Sequence, residues 1–347
     1  MGQILGYAHQ VVDNQRAATL RALLQARADL GTSRGAVTDC VRLCAGAADG
    51  LAGLLVDRFG PLIAAVDYAA AGEGGFDAPE LLALVRDAFP RLHVVAKARL
   101  GDESSNKFQS ETWSPSDSGD ALIAVERGLK FEIGRDPAHD FGLFLDAAKA
   151  RAFVRDAASG KRVLNLFSYA GAFGIAAAAG GASDVTNVDP NRDYLAWSLR
   201  NAKLNGVNMR VLPDTAQAFL AKHLRRLHRD PRHPRFDLVI VDPPAFGVGR
   251  GNERVLRLLW PQLLESVRAL APGQLLLMSN DKAFRSRQSF TAMVEDALGD
   301  RYRFERLGTH LTAGELESQQ STLAWSPAVE DPVYLEPIVL AGTRAER

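Results

Sequence analysis

The chain has 347 residues, 47% of them hydrophobic, which is enough for two domains with sizeable cores. Its 41 Lys and Arg balance 41 Asp and Glu, so no global field draws it to a polyanion, and any such attraction must come from local patches. Cys40 and Cys44 are the only cysteines, which excludes a disulfide framework and a four-cysteine zinc site within one chain; a cytoplasmic location fits, and no metal is expected.

The opening MGQILGYAHQ lacks a basic start followed by a long apolar run, and Gly6 stands where a myristoylation signal takes Ser or Thr, so neither export nor anchoring is expected. Between residues 10 and 30, Val11, Val12, Ala18, Leu20, Leu23, Leu24 and Leu30 recur at roughly helical spacing before Gly31-Thr32-Ser33, predicting a packing helix. Apolar strands Leu54 to Val56 and Leu62 to Val66, broken by Asp49-Gly50 and Phe59-Gly60-Pro61, predict hairpins. A helix from Ala78 to Ala88 and a strand from His93 to Ala98 follow, and Leu100 to Ser118, polar and without periodicity, reads as a long loop. Strands Leu122 to Val125 and Leu129 to Ile133 about Arg127-Gly128 close a smaller α/β domain, residues 1–135.

In the second domain, residues 136–347, Asp146 precedes a helix starting at Ala147. Val163 to Phe167 reads as a strand buried on both faces, which turns through Ser168, Tyr169, Ala170 and Gly171 into an alanine-rich helix. This is the most apolar window, yet its glycines and embedded Asn165, Ser168 and Tyr169 fit strand-turn-helix better than a membrane span. A second strand ends on Asp189, eighteen residues after Gly171, where a nucleotide-binding βαβ unit sets a carboxylate to accept hydrogen bonds from a ribose. The glycine signal, Gly171-Ala-Phe-Gly174, falls short of a full G-x-G-x-x-G. Helix Tyr194 to Leu204, strand Met209 to Leu212 and a helix from Ala216 continue the alternation, which predicts a doubly wound, Rossmann-like parallel sheet. Asp214 ends the third strand.

Lys222 to Arg235, KHLRRLHRDPRHPR, carries six Lys or Arg and three His against one Asp. It reads either as a solvated helix face or as a contact to an RNA backbone. Strand Phe236 to Ile240 runs into Val241-Asp242-Pro243-Pro244-Ala245-Phe246. The two prolines cannot donate to a ladder, so the chain leaves the sheet there with Asp242 at the strand's carboxyl end, the edge where open α/β sheets bind ligands. A helix through Ala269, strand Gln274 to Met278 ending in Ser279-Asn280, and strands Phe304 to Thr309 and Val333 to Leu340 complete the sheet.

In this order and spacing, NLFSYAGAFG, NVDPNRDYLAWSLRNAKLNG and FDLVIVDPPAF resemble the class I S-adenosylmethionine-dependent methyltransferases, within them the bacterial 23S rRNA base methyltransferases that modify guanine N7 or cytosine C5. The resemblance implies S-adenosylmethionine as cofactor, held by Phe167, Ser168, Tyr169, Gly171, Asp189, Asp214 at the adenine amino group, and Asp146. For Asp146 and Asp214, helix capping is an equal reading. It further implies that Asp242, Pro243, Pro244, Phe246 and Asn280 hold the target base, with Phe246 stacked on it. Arg42, Asp49-Gly50-Leu51, Gly53-Leu54 and Asp57 to Gly60 resemble the substrate-side domain that precedes the catalytic domain in this group. Phe141 and Ala147-Ala148 depart from the T-G-L-F-L-D-plus-basic pattern of these enzymes.

A cysteine nucleophile, which C5 methylation needs, is absent near Ser279, and Ser-Asn there resembles the guanine-N7 half of the two-headed rRNA enzyme. The expectation is therefore methylation of an RNA base, a guanine of 23S rRNA at N7, then N2. The alternatives are a 5-methylcytosine enzyme, a protein or small-molecule methyltransferase, and a non-enzymatic binder, the last disfavoured by intact motifs. Oligomeric state is left open.

Overall fold

The computed structural model describes residues 2–31, 37–70, 74–100, 107–115, 120–136, 140–244, 253–279, 287–307 and 338–345. They divide into two compact units, one ending at Leu145 and the other beginning at Asp146, against an expected boundary near residue 135.

In the first unit, α1 (Gly2–Arg27) leads into β1 (Cys40–Ala45), β2 (Leu54–Phe59), β3 (Leu62–Ala70), α2 (Ala78–Ala88), β4 (His93–Leu100) and β5 (Lys107–Trp113). A hairpin, β6 (Leu122–Glu126) and β7 (Leu129–Ile133), follows. The sheet order is β1-β2-β3-β4-β5, antiparallel except for the β3–β4 pair, which the α2 crossover makes parallel. Asp77 starts α2 by accepting a hydrogen bond from the Glu80 amide at 2.8 Å, with Pro79 in the first turn. Leu81, Leu84 and Val85 of α2 join Leu20 and Leu24 of α1 over Leu43, Val56, Ile63 and Val94.

The residues that carry the family likeness in this unit hold its fold together. Arg42 clasps Asp57 across β1 and β2 with bonds of 2.8 and 3.0 Å, and Arg27 clasps Asp49 with two of 2.9 Å. The expected loop from Leu100 to Ser118 is corrected in part, because Lys107–Trp113 forms the edge strand β5 against β4. Its side chains, KFQSETW, are half-buried or exposed, so backbone pairing rather than an apolar face makes it a strand, and no periodicity announces it.

The second unit runs α3 (Ala148–Ala157), β8 (Arg162–Leu166), α4 (Ala172–Ala179), β9 (Asp184–Val188), α5 (Arg192–Leu204), β10 (Arg210–Leu212) and α6 (Ala216–Arg229). It continues with β11 (Leu238–Val241), α7 (Glu253–Leu270), β12 (Gln274–Ser279), α8 (Arg287–Leu298), β13 (Tyr302–Leu307) and β14 (Ile338–Arg344). The sheet order is β10-β9-β8-β11-β12-β14-β13, the first five strands parallel and β14 antiparallel to both its neighbours. Both faces are covered, which is why the strands read as apolar runs. Leu164, Val239, Val241 and Leu275 pack under α6, α7 and α8, while the alternate residues Val163, Leu238, Ile240 and Leu276 pack under α3 and α4. The sheet is the expected doubly wound one. Its strand order reverses between β8 and β11, and the crevice outside their carboxyl ends is the place where such sheets take ligands.

Candidate functional site at the carboxyl edge of the second sheet

The register fixes the heights. Leu166 lies opposite Val188 on one side and Val241 on the other, so Phe167, Asp189 and Asp242 each stand one residue beyond the same row. Asp189 and Asp242 flank β8 and lie two strand spacings apart, about 10 Å. Leu212 lies opposite Val188, which sets Asp214 two residues beyond that row on β10.

Between β8 and α4 the chain makes a tight, constrained bend. Phe167 and Tyr169 have φ of 57° and 46°, a region costly for residues with a Cβ, and Gly171 has 82°. The bend is held from below. The Ser168 amide donates to the Val188 carbonyl at 3.1 Å, the Tyr169 amide to Asp189 at 3.0 Å, and the Asn201 side chain to the Ala170 carbonyl at 3.1 Å. Tyr169 also meets the edges of Tyr194, at 4.6 Å, and Trp197, at 5.9 Å. The Ser168 hydroxyl is buried without a hydrogen-bond partner among the described residues.

Asp189 is 8% exposed, and its other oxygen accepts from the Asn191 amide at 2.9 Å. Burial pushes its carboxyl above the ordinary range, and the two backbone bonds oppose that rise. A carboxylate with one lone-pair direction per oxygen still open, at the tip of β9, suits two ribose hydroxyls.

Gly171 and Gly174 have a packing reason as well. A Cβ on Gly171 would come within 2.1 Å of the Ser198 hydroxyl, and one on Gly174 within 2.3 Å of the Asn187 amide. Beneath them Asn165 donates to Asn187 at 2.9 Å, and Asn187 to Ser198 at 3.3 Å, a buried chain that ties β8, β9 and α5 together. Sequence reasoning passes over these residues, although a lone Asn in each of two apolar strands, VLNL and VTNV, is a visible signal.

Asp146 does not cap α3, which corrects one of its two readings. A single 3-10 turn, Leu145–Ala147, shifts the cap position to Ala147, where no side chain caps the helix, and leaves Asp146 buried near Asp242. The Asp242 carboxyl is pushed up to about 7, by burial first and by the Asp146 charge second, while buried Arg151 of α3 pulls the other way. Pro243 is buried and Pro244 exposed, so the chain leaves β11 as expected. Asp214 does not cap α6 either, because the Thr215 hydroxyl takes the Ala218 amide at 3.2 Å. Asp214 accepts from the Thr215 amide at 3.0 Å and from Lys222 at 2.6 Å, which removes Lys222 from the free basic run. Phe246 and Asn280, expected at the target base, lie outside the described residues.

A family model described as S-adenosylmethionine-dependent methyltransferase matches residues 86–298. The chain belongs to this family. It is 30% identical over 209 residues to the ribosomal RNA large subunit methyltransferase K of Neisseria meningitidis serogroup B, across 60% of this chain and 57% of that one. It is 28% identical over 314 residues to ribosomal RNA large subunit methyltransferase I of Aeromonas hydrophila, across 86% of this chain and 74% of the relative. The chain thus spans little more than half the length of the Neisseria relative. SMU.776, assigned as a methyltransferase and solved with SAH, has the same fold, with a TM-score of 0.70 at 20% identity over 95% of this chain and 81% of that one.

S-adenosylmethionine is the cofactor of the family, and the carboxyl edge fits it. The open lone pairs of Asp189, the buried Ser168 hydroxyl and the bend between β8 and α4 offer polar groups at one edge of the sheet. Among the described residues no group of His, Cys, Asp and Glu could hold a metal, and no helix is long and apolar enough to cross a membrane.

Proposed function

We propose that this methyltransferase modifies a base of large-subunit ribosomal RNA, a guanine at N7. The observation that carries the reading is the alignment of Asp189 and Asp242 one residue beyond the same row on either side of β8. In this reading one carboxylate serves a cofactor ribose and the second carboxyl, about 10 Å away, serves the substrate. Asp189 accepts the ribose hydroxyls, the bend Phe167-Ser168-Tyr169-Gly171 lies along the cofactor, and Asp214 takes the adenine amino group while keeping Lys222. Asp146 acts through Asp242. Asp242, Pro243, Pro244, Phe246 and Asn280 hold the base. The cofactor supplies an electrophilic methyl group on a sulfonium.

A ring nitrogen with an in-plane lone pair attacks such a methyl without a covalent nucleophile and without losing a proton, so orientation suffices. The cysteines support this choice over cytosine C5. Both are buried in the first unit, and burial pushes the Cys44 thiol up to about 12, which leaves no thiolate at neutral pH. One observation favours guanine N2 as a second reading. An exocyclic amine must shed a proton, and a carboxyl near 7 at Asp242 suits a general base. The test is transfer of a labelled methyl group to unmodified rRNA followed by nucleoside identification. 7-Methylguanosine supports the reading, 2-methylguanosine moves it to the amino group, and 5-methylcytidine or no transfer overturns it.

A further inference from the structure

The basic run does not serve the crevice as a whole. Lys222 is drawn to Asp214 at the carboxyl edge. From there α6 carries the chain back along the sheet; its 14 residues span about 20 Å at 1.5 Å per residue. The chain enters β11 at the opposite, amino edge, where Arg162 at the start of β8 donates from Nε to the Arg235 carbonyl at 3.1 Å and from its amide to Asp237 at 2.9 Å.

Most other arginines on that edge are matched with carboxylates. Arg162 and Arg210 share Asp184, and Arg268 and Arg301 share Asp300. Arg226, Arg229, Arg232 and Arg235 differ. All four are exposed, and among the described residues none forms an ion pair or a side-chain hydrogen bond. Two of them, Arg226 and Arg235, stand with Arg162 and His233 around one buried ring. His223, 6% exposed, lies against Phe219 and Phe236, with the His233 ring at 4.9 Å. Its pKa is pushed down to about 4, by burial first, then by His233, Arg226, Arg162 and Arg235. The imidazole therefore stays neutral, and the positive field comes from guanidiniums whose forks match phosphate oxygens.

We propose that the amino edge of the second unit's sheet, centred on Arg226, Arg229, Arg232 and Arg235, binds the phosphate backbone of RNA at a point remote from the methylated base. The inference rests on the RNA reading above and extends it. A substrate long enough to follow the sheet from one edge to the other, about 20 Å, engages both places, and a short one engages only the crevice. Four unmatched arginines in a chain of zero net charge form a local electrostatic footprint rather than a general attraction.

The test uses the full chain and an in vitro transcript of large-subunit rRNA, with binding measured over a range of KCl concentrations. The triple variant Arg229→Gln, Arg232→Gln, Arg235→Gln should lower the salt slope by about 2 to 3, at about 0.7 to 0.9 for each phosphate no longer neutralised. It should raise KM for the transcript with kcat unchanged and leave cofactor affinity unaltered. The triple Lys variant should keep the wild-type slope, and Arg232→Gln alone should lower it by about 0.7 to 0.9. An unchanged slope and KM in the triple Gln variant, with wild type binding normally, would overturn the inference while leaving the RNA reading intact. Polyglutamate competing as well as RNA would overturn the assignment to phosphate. A wild-type chain that does not bind the transcript would overturn the RNA reading itself.

Discussion

Replacing Asp242 by Asn removes an ionisable group from a place that resists its charge. Its carboxyl lies at about 7 instead of the ordinary 3.8, through burial and the neighbouring Asp146 charge, with Arg151 opposing. At about 1.4 kcal/mol per tenfold change in proton affinity that displacement corresponds to about 4 kcal/mol, and solvent reaching the partly exposed side chain reduces it to about 2 kcal/mol. Well below pH 3.8 the group is protonated in both the folded and unfolded chain and contributes nothing. As pH rises past 3.8 the unfolded chain ionises first, and above 7 the folded state carries the full cost. Asp242→Asn should therefore be more stable than wild type by about 2 kcal/mol at pH 8.5, a gain that fades toward pH 4. Urea unfolding of both proteins at pH 4.5 and 8.5 reads this as a midpoint difference that grows with pH. A gain that is the same at both pH values, or a variant less stable at pH 8.5, would refute the placement of Asp242 in a desolvated site beside Asp146.

Asp189→Ala removes the acceptor expected for the ribose hydroxyls, with charge-assisted bonds worth about 1.5 to 3 kcal/mol each, so calorimetry should show affinity for S-adenosylmethionine at least about tenfold weaker. Unchanged affinity in a folded variant would remove Asp189 from the site. Gly171→Ala meets both a left-handed φ and the Ser198 hydroxyl at 2.1 Å, and thermal or urea unfolding should show a loss of about 2 to 4 kcal/mol. Wild-type stability would contradict the close approach of α4 to α5. The Cys40→Ser, Cys44→Ser double variant should retain methyl transfer to rRNA; a normally folded but inactive double variant would mean that a thiolate takes part.

Much of the second unit is legible in the sequence because its physics is repetitive. Strands covered on both faces must be apolar throughout, and Val163 to Leu166 and Leu238 to Val241 are recognisable on that ground alone. Asp189 and Asp242 stand out as the first charges after such runs. Less is readable where backbone pairing or a side chain from elsewhere decides the outcome. The edge strand Lys107–Trp113 carries no apolar pattern, and the single 3-10 turn before α3 takes Asp146 away from the cap. The sequence likewise shows a charge run but not its direction. That Lys222 turns to Asp214 while Arg235 lies beside the start of β8 follows only from the path of α6 across the sheet.

The most direct test of the central claim is nucleoside mass spectrometry of large-subunit rRNA from source cells with and without the gene. The account predicts that the deletion removes one 7-methylguanosine and that the wild-type gene restores it while Asp189→Ala does not. An rRNA with every methylated nucleoside intact after the deletion would contradict it.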